Sequence, residues 1–355
     1  MKKSLIALAV LAASGAAMAQ SSVTLYGVAD MAVGKVSQAA GGLALANDDF
    51  QAITSSTLNN GTSRFGLGGT EDLGGGLKAG FNFEGGLSLA NGAGNLSGGQ
   101  LFSRAANMSL MGGFGEIRLG RDFTPSFWNT TVYDAFGTNG IAQAMTPGMG
   151  GGNQNNAVRA NNTISYFLPG SLGGVQGQFQ YGWGENVSGG SKTNNYFGFR
   201  VGYAAGPIST HVAYGKTDGG TLTANDDNAD VKYLNVGFSF DAGVVKPMVF
   251  YGQEKTGAGA KVTGLEFSIV APVGAGEIRG AYSRYDVANS SNDWTKLGVG
   301  YVHNLSKRSA VYAQYARVTN KGAQTKSVSN NGLSAGGAAP GGNSSGLEFG
   351  VRHAF

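Results

Sequence analysis

The residues able to carry chemistry are sparse in this sequence, and their spacing suits no covalent reaction. Three histidines, His211, His303 and His353, lie far apart in segments that read as separate strands. No Gly-x-Ser-x-Gly elbow, His-Glu-x-x-His pair or phosphate-cradling glycine loop sits at the strand-to-helix junction that each requires. A serine hydrolase needs Ser, His and an orienting group on one face, and nothing here gathers them. The expectation is therefore no enzyme and no cofactor. Asp48-Asp49 and Asp226-Asp227 have the ligand type for calcium, yet as isolated pairs they fit solvated loop charges better. What recurs is arginine. Arg64, Arg104, Arg118 and Arg159 fall on strands or strand ends around one long segment, 122–158, which itself carries Asp122 and Asp134. Their chemistry is that of fixed charge.

The elements that must position these groups follow from the rest of the chain. Lys2 and Lys3, the apolar run Leu5 to Ala13 and the small residues Ala17-Met18-Ala19 have the order of an export signal cleaved before Gln20. Removal of the first 19 of 355 residues leaves a mature chain of 336. The chain has no cysteine, so an exported fold must be held together by something other than disulfides. Of 25 basic residues two leave with the signal, and 23 against 21 acidic is too even a balance for a nucleic-acid binder. Glycine reaches 62 residues without a Gly-X-Y period, which excludes collagen. No later apolar run approaches the roughly 18 residues of a membrane-spanning helix.

Period two dominates after Gln20. In Tyr233 to Phe240, Leu234, Val236, Phe238 and Phe240 alternate with Tyr233, Asn235, Gly237 and Ser239. The last segment alternates Leu347, Phe349, Val351, His353 and Phe355 with Gly346, Glu348, Gly350 and Arg352. Alternation of this kind, with mean hydropathy near zero, suits a wall with lipid on one side and water on the other. Seven tight, glycine-rich turn signals fall near 71–75, 112–115, 169–173, 205–207, 241–243, 272–276 and 304–307. Between them lie eight polar stretches near 37–60, 91–99, 122–158, 186–194, 217–229, 256–261, 288–293 and 320–343. Fifteen alternating connections join sixteen strands, with both termini on the tight-turn side. The fold class is all-β: one transmembrane sixteen-stranded antiparallel barrel over residues 20–355, with long extracellular loops and short periplasmic turns.

Several blocks also carry a family likeness. Ser22-Val23-Thr24-Leu25-Tyr26-Gly27-Val28-Ala29-Asp30 resembles the first strand of Gram-negative general porins, in particular the β-proteobacterial type. Ser63 to Gly76 is similar to that type's second strand and first turn, and Gly113 to Arg121 to its fifth strand. Gly350-Val351-Arg352-His353-Ala354-Phe355 is similar to its closing strand. The resemblance implies a homotrimer in the outer membrane, in contact with lipid and lipopolysaccharide, through which ions and small hydrophilic solutes diffuse. It implies that the third loop, about 122–158, folds into each lumen. Phe127, Trp128, Tyr133 and Phe136 then give the first half of that loop something to pack with, while Met145 to Asn156 is rich in Gly and Asn.

The same resemblance carries Arg64, Arg104 and Arg159 onto a basic cluster opposite the loop, with Asp122 and Asp134 supplying carboxylates on the loop side. An arginine facing lipid at mid-bilayer costs roughly 2–4 kcal/mol, so any of these, Arg118 included, must face water or reach for an interface. The expected result is a charge filter at a pore constriction, with modest anion preference. Wall salt bridges without a transport role are the alternative. Arg200, on a glycine-rich face, is expected to line the lumen away from the constriction. Phe355 ends an apolar series at every second position, and the resemblance adds a role as an assembly signal. A substrate-selective porin and an adhesive barrel acting through its loops remain alternatives.

Overall fold

The computed structural model describes residues 22–38, 51–53, 63–89, 91–94, 99–144, 157–184, 194–221, 224–328 and 338–355. The export segment 1–19, Asp48-Asp49 and the stretch Met145 to Asn156 lie outside the described residues. Sixteen strands follow in chain order. They are β1 (Ser22–Gln38), β2 (Arg64–Gly74), β3 (Leu77–Gly86), β4 (Ala105–Gly112), β5 (Gly115–Phe123), β6 (Arg159–Phe167), β7 (Val175–Gly182) and β8 (Tyr196–Ala205). The second half comprises β9 (Ile208–Thr217), β10 (Val231–Phe240), β11 (Lys246–Thr256), β12 (Lys261–Val273), β13 (Gly276–Val287), β14 (Trp294–Asn304), β15 (Ser309–Asn320) and β16 (Ser344–Ala354).

Each strand pairs antiparallel with its neighbours in sequence, and β1 closes the ring by pairing both ways. Its first part, Ser22 to Val28, pairs with β2; its remainder, Val28 to Gln38, pairs with β16. A three-residue strip, Gln51–Ile53, adds to β1 without entering the ring. Closure satisfies every strand edge, which is what lets a sheet cross hydrocarbon. Among the described residues no helix is long and apolar enough to do so.

The sense of the alternation decides the environment. In β10 the apolar residues Leu234, Val236, Phe238 and Phe240 are 39–43 % exposed, while Asn235 and Ser239 are buried. Apolar outside and polar inside is the reverse of a soluble sandwich and the requirement of a barrel in lipid. Along β2–β3 the outward Phe65, Phe81 and Phe83 join Phe102 in a run of ring contacts 5.3–6.5 Å apart. Tight turns take the residues their backbone needs: Gly74, Gly75 and Gly76 all have φ between +61° and +83°, where a side chain would be strained.

The segregation of connection lengths is weaker than the sequence suggests. The links 257–260 and 288–293 are about as short as the turns: 288–293 has the length read from the sequence, and 257–260 is shorter still because β11 runs through Thr256 and β12 starts at Lys261. At the seam, Phe355 exchanges backbone hydrogen bonds of 3.1 Å in both directions with Gly27. A Cβ at Gly27 would lie 2.3 Å from the Phe355 ring, so the glycine makes the seat on which the terminal aromatic rests.

Candidate functional site

The connection after β5 turns inward, and local chemistry starts the turn. Thr124 is extended (φ −75°, ψ 146°) and its hydroxyl accepts from the Phe127 N–H at 3.4 Å; Pro125 follows at the first helical position. An N-cap threonine with proline next is a strong helix start. Helix α1 (Pro125–Val132) therefore leaves the wall at once and crosses the lumen to β8–β10. There Asn129 donates to Asn235 Oδ1 at 2.7 Å and accepts from Arg200 Nε at 2.9 Å. Asn235 donates back to the Ser126 carbonyl at 2.9 Å. The Tyr133 hydroxyl lies 2.6 Å from His211 Nδ1 and 2.8 Å from Ser209 Oγ.

Beyond Tyr133 the loop doubles over Asp134, whose carboxylate accepts from the N–H groups of Phe136 (2.9 Å), Thr138 (2.7 Å) and Ala144 (3.0 Å). Burial pushes this carboxyl upward from its ordinary range against the pull of those three donors. Phe136, Ile141 and Ala142 then pack on β14–β16. Glycines on the wall make the room: Gly237 lies under Tyr133, Gly300 under Phe136, Gly298 under Ala142, and Gly346 beside Ile141. The loop thus lies across one side of the lumen, from β8–β10 to β14–β16. Trp128 is left 41 % exposed, 5.9 Å from Phe123.

The wall from β2 to β6 carries the charge. Glu84 on β3 holds two arginines, Arg104 Nε at 2.6 Å and Arg64 Nε at 3.3 Å, and the Tyr26 hydroxyl meets it at 3.1 Å. Arg159 donates to the Arg104 carbonyl at 2.9 Å and lays its guanidinium 4.1 Å from the centre of the Phe123 ring. Arg121 reaches the Ser103 carbonyl at 2.7 Å and Asn161 Oδ1 at 2.5 Å. Deeper along β5, Arg118 bridges Glu116 at 2.8 Å and Asp122 at 2.5 Å.

The structure therefore brings Arg64, Arg104 and Arg159 together at the loop end of the wall, with Arg118 and Asp122 joined as an ion pair beside them. Asp122 stands on the arginine wall instead of across from it. Asp134 stands apart, its carboxylate turned into the loop's own backbone. Arg200 lies beneath the loop as an anchor for Asn129, not away from it as its sequence position suggests. Sequence reasoning overlooked Glu84, Arg121 and Glu116. For Glu84 a signal existed: in Phe81-Asn82-Phe83-Glu84 the alternation puts Asn82 and Glu84 on the inner face with Tyr26, which donates to Asn82 at 2.7 Å.

A ring of this strand number, crossed by its third loop, with charged side chains on the wall it leaves open, narrows the comparison to one architecture. Residues 5–323 match the model of the Gram-negative porin family. The chain is 42 % identical to the outer membrane porin protein 32 of Delftia acidovorans, over the full length of both. It belongs to the Gram-negative porin family.

An outer membrane porin protein of Bordetella pertussis is 30 % identical, covering 88 % of this chain and 93 % of that one. Among solved structures, an anion-selective porin from Comamonas acidovorans superposes with a TM-score of 0.82 at 36 % identity, covering 95 % of this chain and 100 % of that chain. OmpT of Vibrio cholerae, solved in a trimer form, shares the fold at 16 % identity, with a TM-score of 0.64 and coverage of 94 % and 99 %. This porin is thus an outer-membrane protein whose barrel encloses a water-filled channel for passive diffusion, as its relatives are channels and not enzymes.

Proposed function

We propose that this porin is an anion-preferring diffusion pore whose filter is the arginine wall opposite the inserted loop. One observation carries the reading: Arg64, Arg104, Arg121 and Arg159 gather around Glu84 at the loop end of the β2–β6 wall, with Arg118 paired to Glu116 and Asp122 beside them, while Glu71, Asp72 and Lys78 lie at the turn end of the same wall. Glu116 and Asp122 both pair with Arg118, so positive charge concentrates at the loop end, where Arg64, Arg104, Arg121 and Arg159 gather about Glu84. Across an aqueous passage narrower than the roughly 10 Å Debye length at 0.1 M salt, these charges act on every ion that passes. The anion selectivity named for the Comamonas porin supports the same preference here.

The assembled form we propose is a homotrimer exported by cleavage after Ala19, with Phe355 read by the insertion machinery as the end of the closing strand. Its seat against Gly27 supports that role, because its two backbone hydrogen bonds to Gly27 extend the pairing of the closing strand on β1.

Exchange of Arg64 and Arg104 for glutamine tests the filter. In a planar bilayer with a salt gradient centred on 0.1 M, the zero-current potential of R64Q/R104Q should move toward cation preference while the barrel still folds, since lumen residues tolerate polar exchange. If these groups are only wall salt bridges, the assembly will weaken and selectivity will stay where it was.

A further inference from the structure

We infer that the periplasmic rim at the β14–β15 turn is a binding site for an anionic phospholipid of the inner leaflet. Of the seven tight turns, only this one, Leu305-Ser306-Lys307-Arg308, carries basic residues of its own. The other six comprise 75–76, 113–114, 168–174, 206–207, 241–245 and 274–275, and the single charge among them is Asp241. Lys307 and Arg308 are exposed, and among the described residues neither has a carboxylate partner. Two histidines stand beside them on the lipid-facing register. The Tyr301 hydroxyl lies 3.1 Å from His303 Nδ1, and Ser309 Oγ lies 2.9 Å from His353 Nδ1. These contacts fix both rings through Nδ1 and leave Nε2 of each for another partner. The end of β16 lies against this turn, with the Ala354 N–H donating to the Arg308 carbonyl at 2.8 Å, while the backbone of Phe355 bonds to Gly27.

Directly above, toward mid-membrane, the outer surface is hollowed. A groove of about 700 Å³ runs over β14, β15, β16 and β1, floored by backbone at Ala313 and Gly350 and walled by Met31, Val33, Tyr301 and Phe349. It reaches His303 at its lower end. The register explains the hollow: Tyr301, Ala313, Phe349 and Val33 form one row across four strands, and Ala313 is the small member between two rings. An apolar groove ending in a cluster of cationic and hydrogen-bond-donating groups at headgroup depth complements one ligand in both parts. An acyl chain fills the groove, and a phosphodiester meets Lys307, Arg308 and the histidine Nε2 positions. Clustered Lys and Arg at a membrane surface attract anionic lipid in this way, and Tyr301 stands where aromatic side chains mark the interface.

The test is native mass spectrometry of the folded full-length porin in mild detergent, offered phosphatidylglycerol and phosphatidylethanolamine of equal chain length in competition. The wild type should retain one phosphatidylglycerol per chain in preference to phosphatidylethanolamine. K307Q/R308Q, confined to an exposed turn, should lose roughly tenfold of that preference. A313F, which fills the groove from the lipid side, should lower retention of both lipids while heat-modifiable migration on gels stays intact. Excess inorganic phosphate should not displace the lipid, because it lacks the chain. Equal retention by wild type and both variants would overturn the proposal. So would displacement by phosphate alone, or ready disulfide crosslinking of A313C between two copies, which would show that the groove is covered by protein.

Discussion

Glu84 offers the sharpest perturbation of this pore. It stands among Arg64, Arg104, Arg121 and Arg159, held 2.6 Å from Arg104 and 3.3 Å from Arg64. Exchange to glutamine keeps the shape and leaves a side-chain oxygen for Arg104, but adds one unit of positive charge to the local balance. For an ion passing about 6 Å away through water, one added unit charge is worth roughly 0.7 kcal/mol, and screening at 0.1 M cuts this to about 0.4 kcal/mol. Anions gain that amount and cations lose it, so the ratio of anion to cation permeability should rise roughly threefold to fourfold at 0.1 M. Near 1 M, where the Debye length is about 3 Å, the same exchange should change the ratio by less than about twofold. Reversal potentials of single channels in a potassium chloride gradient, at both salt levels, measure this directly. An unchanged ratio at 0.1 M, with normal migration of the folded protein, would show that the wall charges do not act on the permeating ions. A shift toward cations would mean that Arg64 and Arg104 swing away once Glu84 no longer holds them, so that the filter depends on their placement more than on their charge.

Three further outcomes follow from the packing. G237A puts a methyl group within 1.9 Å of the Tyr133 ring, so the ring must leave its contacts with His211 and Ser209; the loop should loosen, and single-channel recordings should show higher and noisier conductance in an intact barrel. F355D places a charge on the lipid-side seat at Gly27 and should lower the yield of folded protein in the outer membrane, read as heat-modifiable bands on unboiled gels, with unchanged amounts counting against the assembly role. The native porin should migrate as a species of three barrels in mild detergent and collapse on boiling; a monodisperse monomer by light scattering at several detergent concentrations would remove the trimer and leave the pore.

Strand number, the ring topology and the position of the long third connection were legible in the sequence, because each rests on local signals. Period-two alternation sets the two faces of a strand, and glycine-rich turns mark its ends. The Thr124-Pro125 helix start is a local signal of the same kind, which the sequence reading did not use. The lumen-facing glycines were legible as glycines but not as seats. Gly237, Gly298 and Gly300 acquire meaning only when Tyr133, Ala142 and Phe136, more than a hundred residues earlier in the chain, come to lie on them. Charge pairing was likewise beyond the sequence. Asp134 and Asp122 are the same residue type in the stretch that reads as one loop, yet one folds back on three backbone N–H groups and the other stands on β5 and pairs with Arg118. Glu84 and Arg64 meet because β2 and β3 pair in a register that sets Gly66 opposite Glu84 and Gly86 opposite Arg64, and nothing within either strand alone states that register. The sequence by itself determined a closed wall with an apolar outside and a polar inside, since a period-two pattern needs no partner to be read. Which charges stand together on the inside was decided by tertiary structure alone, because electrostatic energy depends on distances that only closure of the barrel and entry of the loop create.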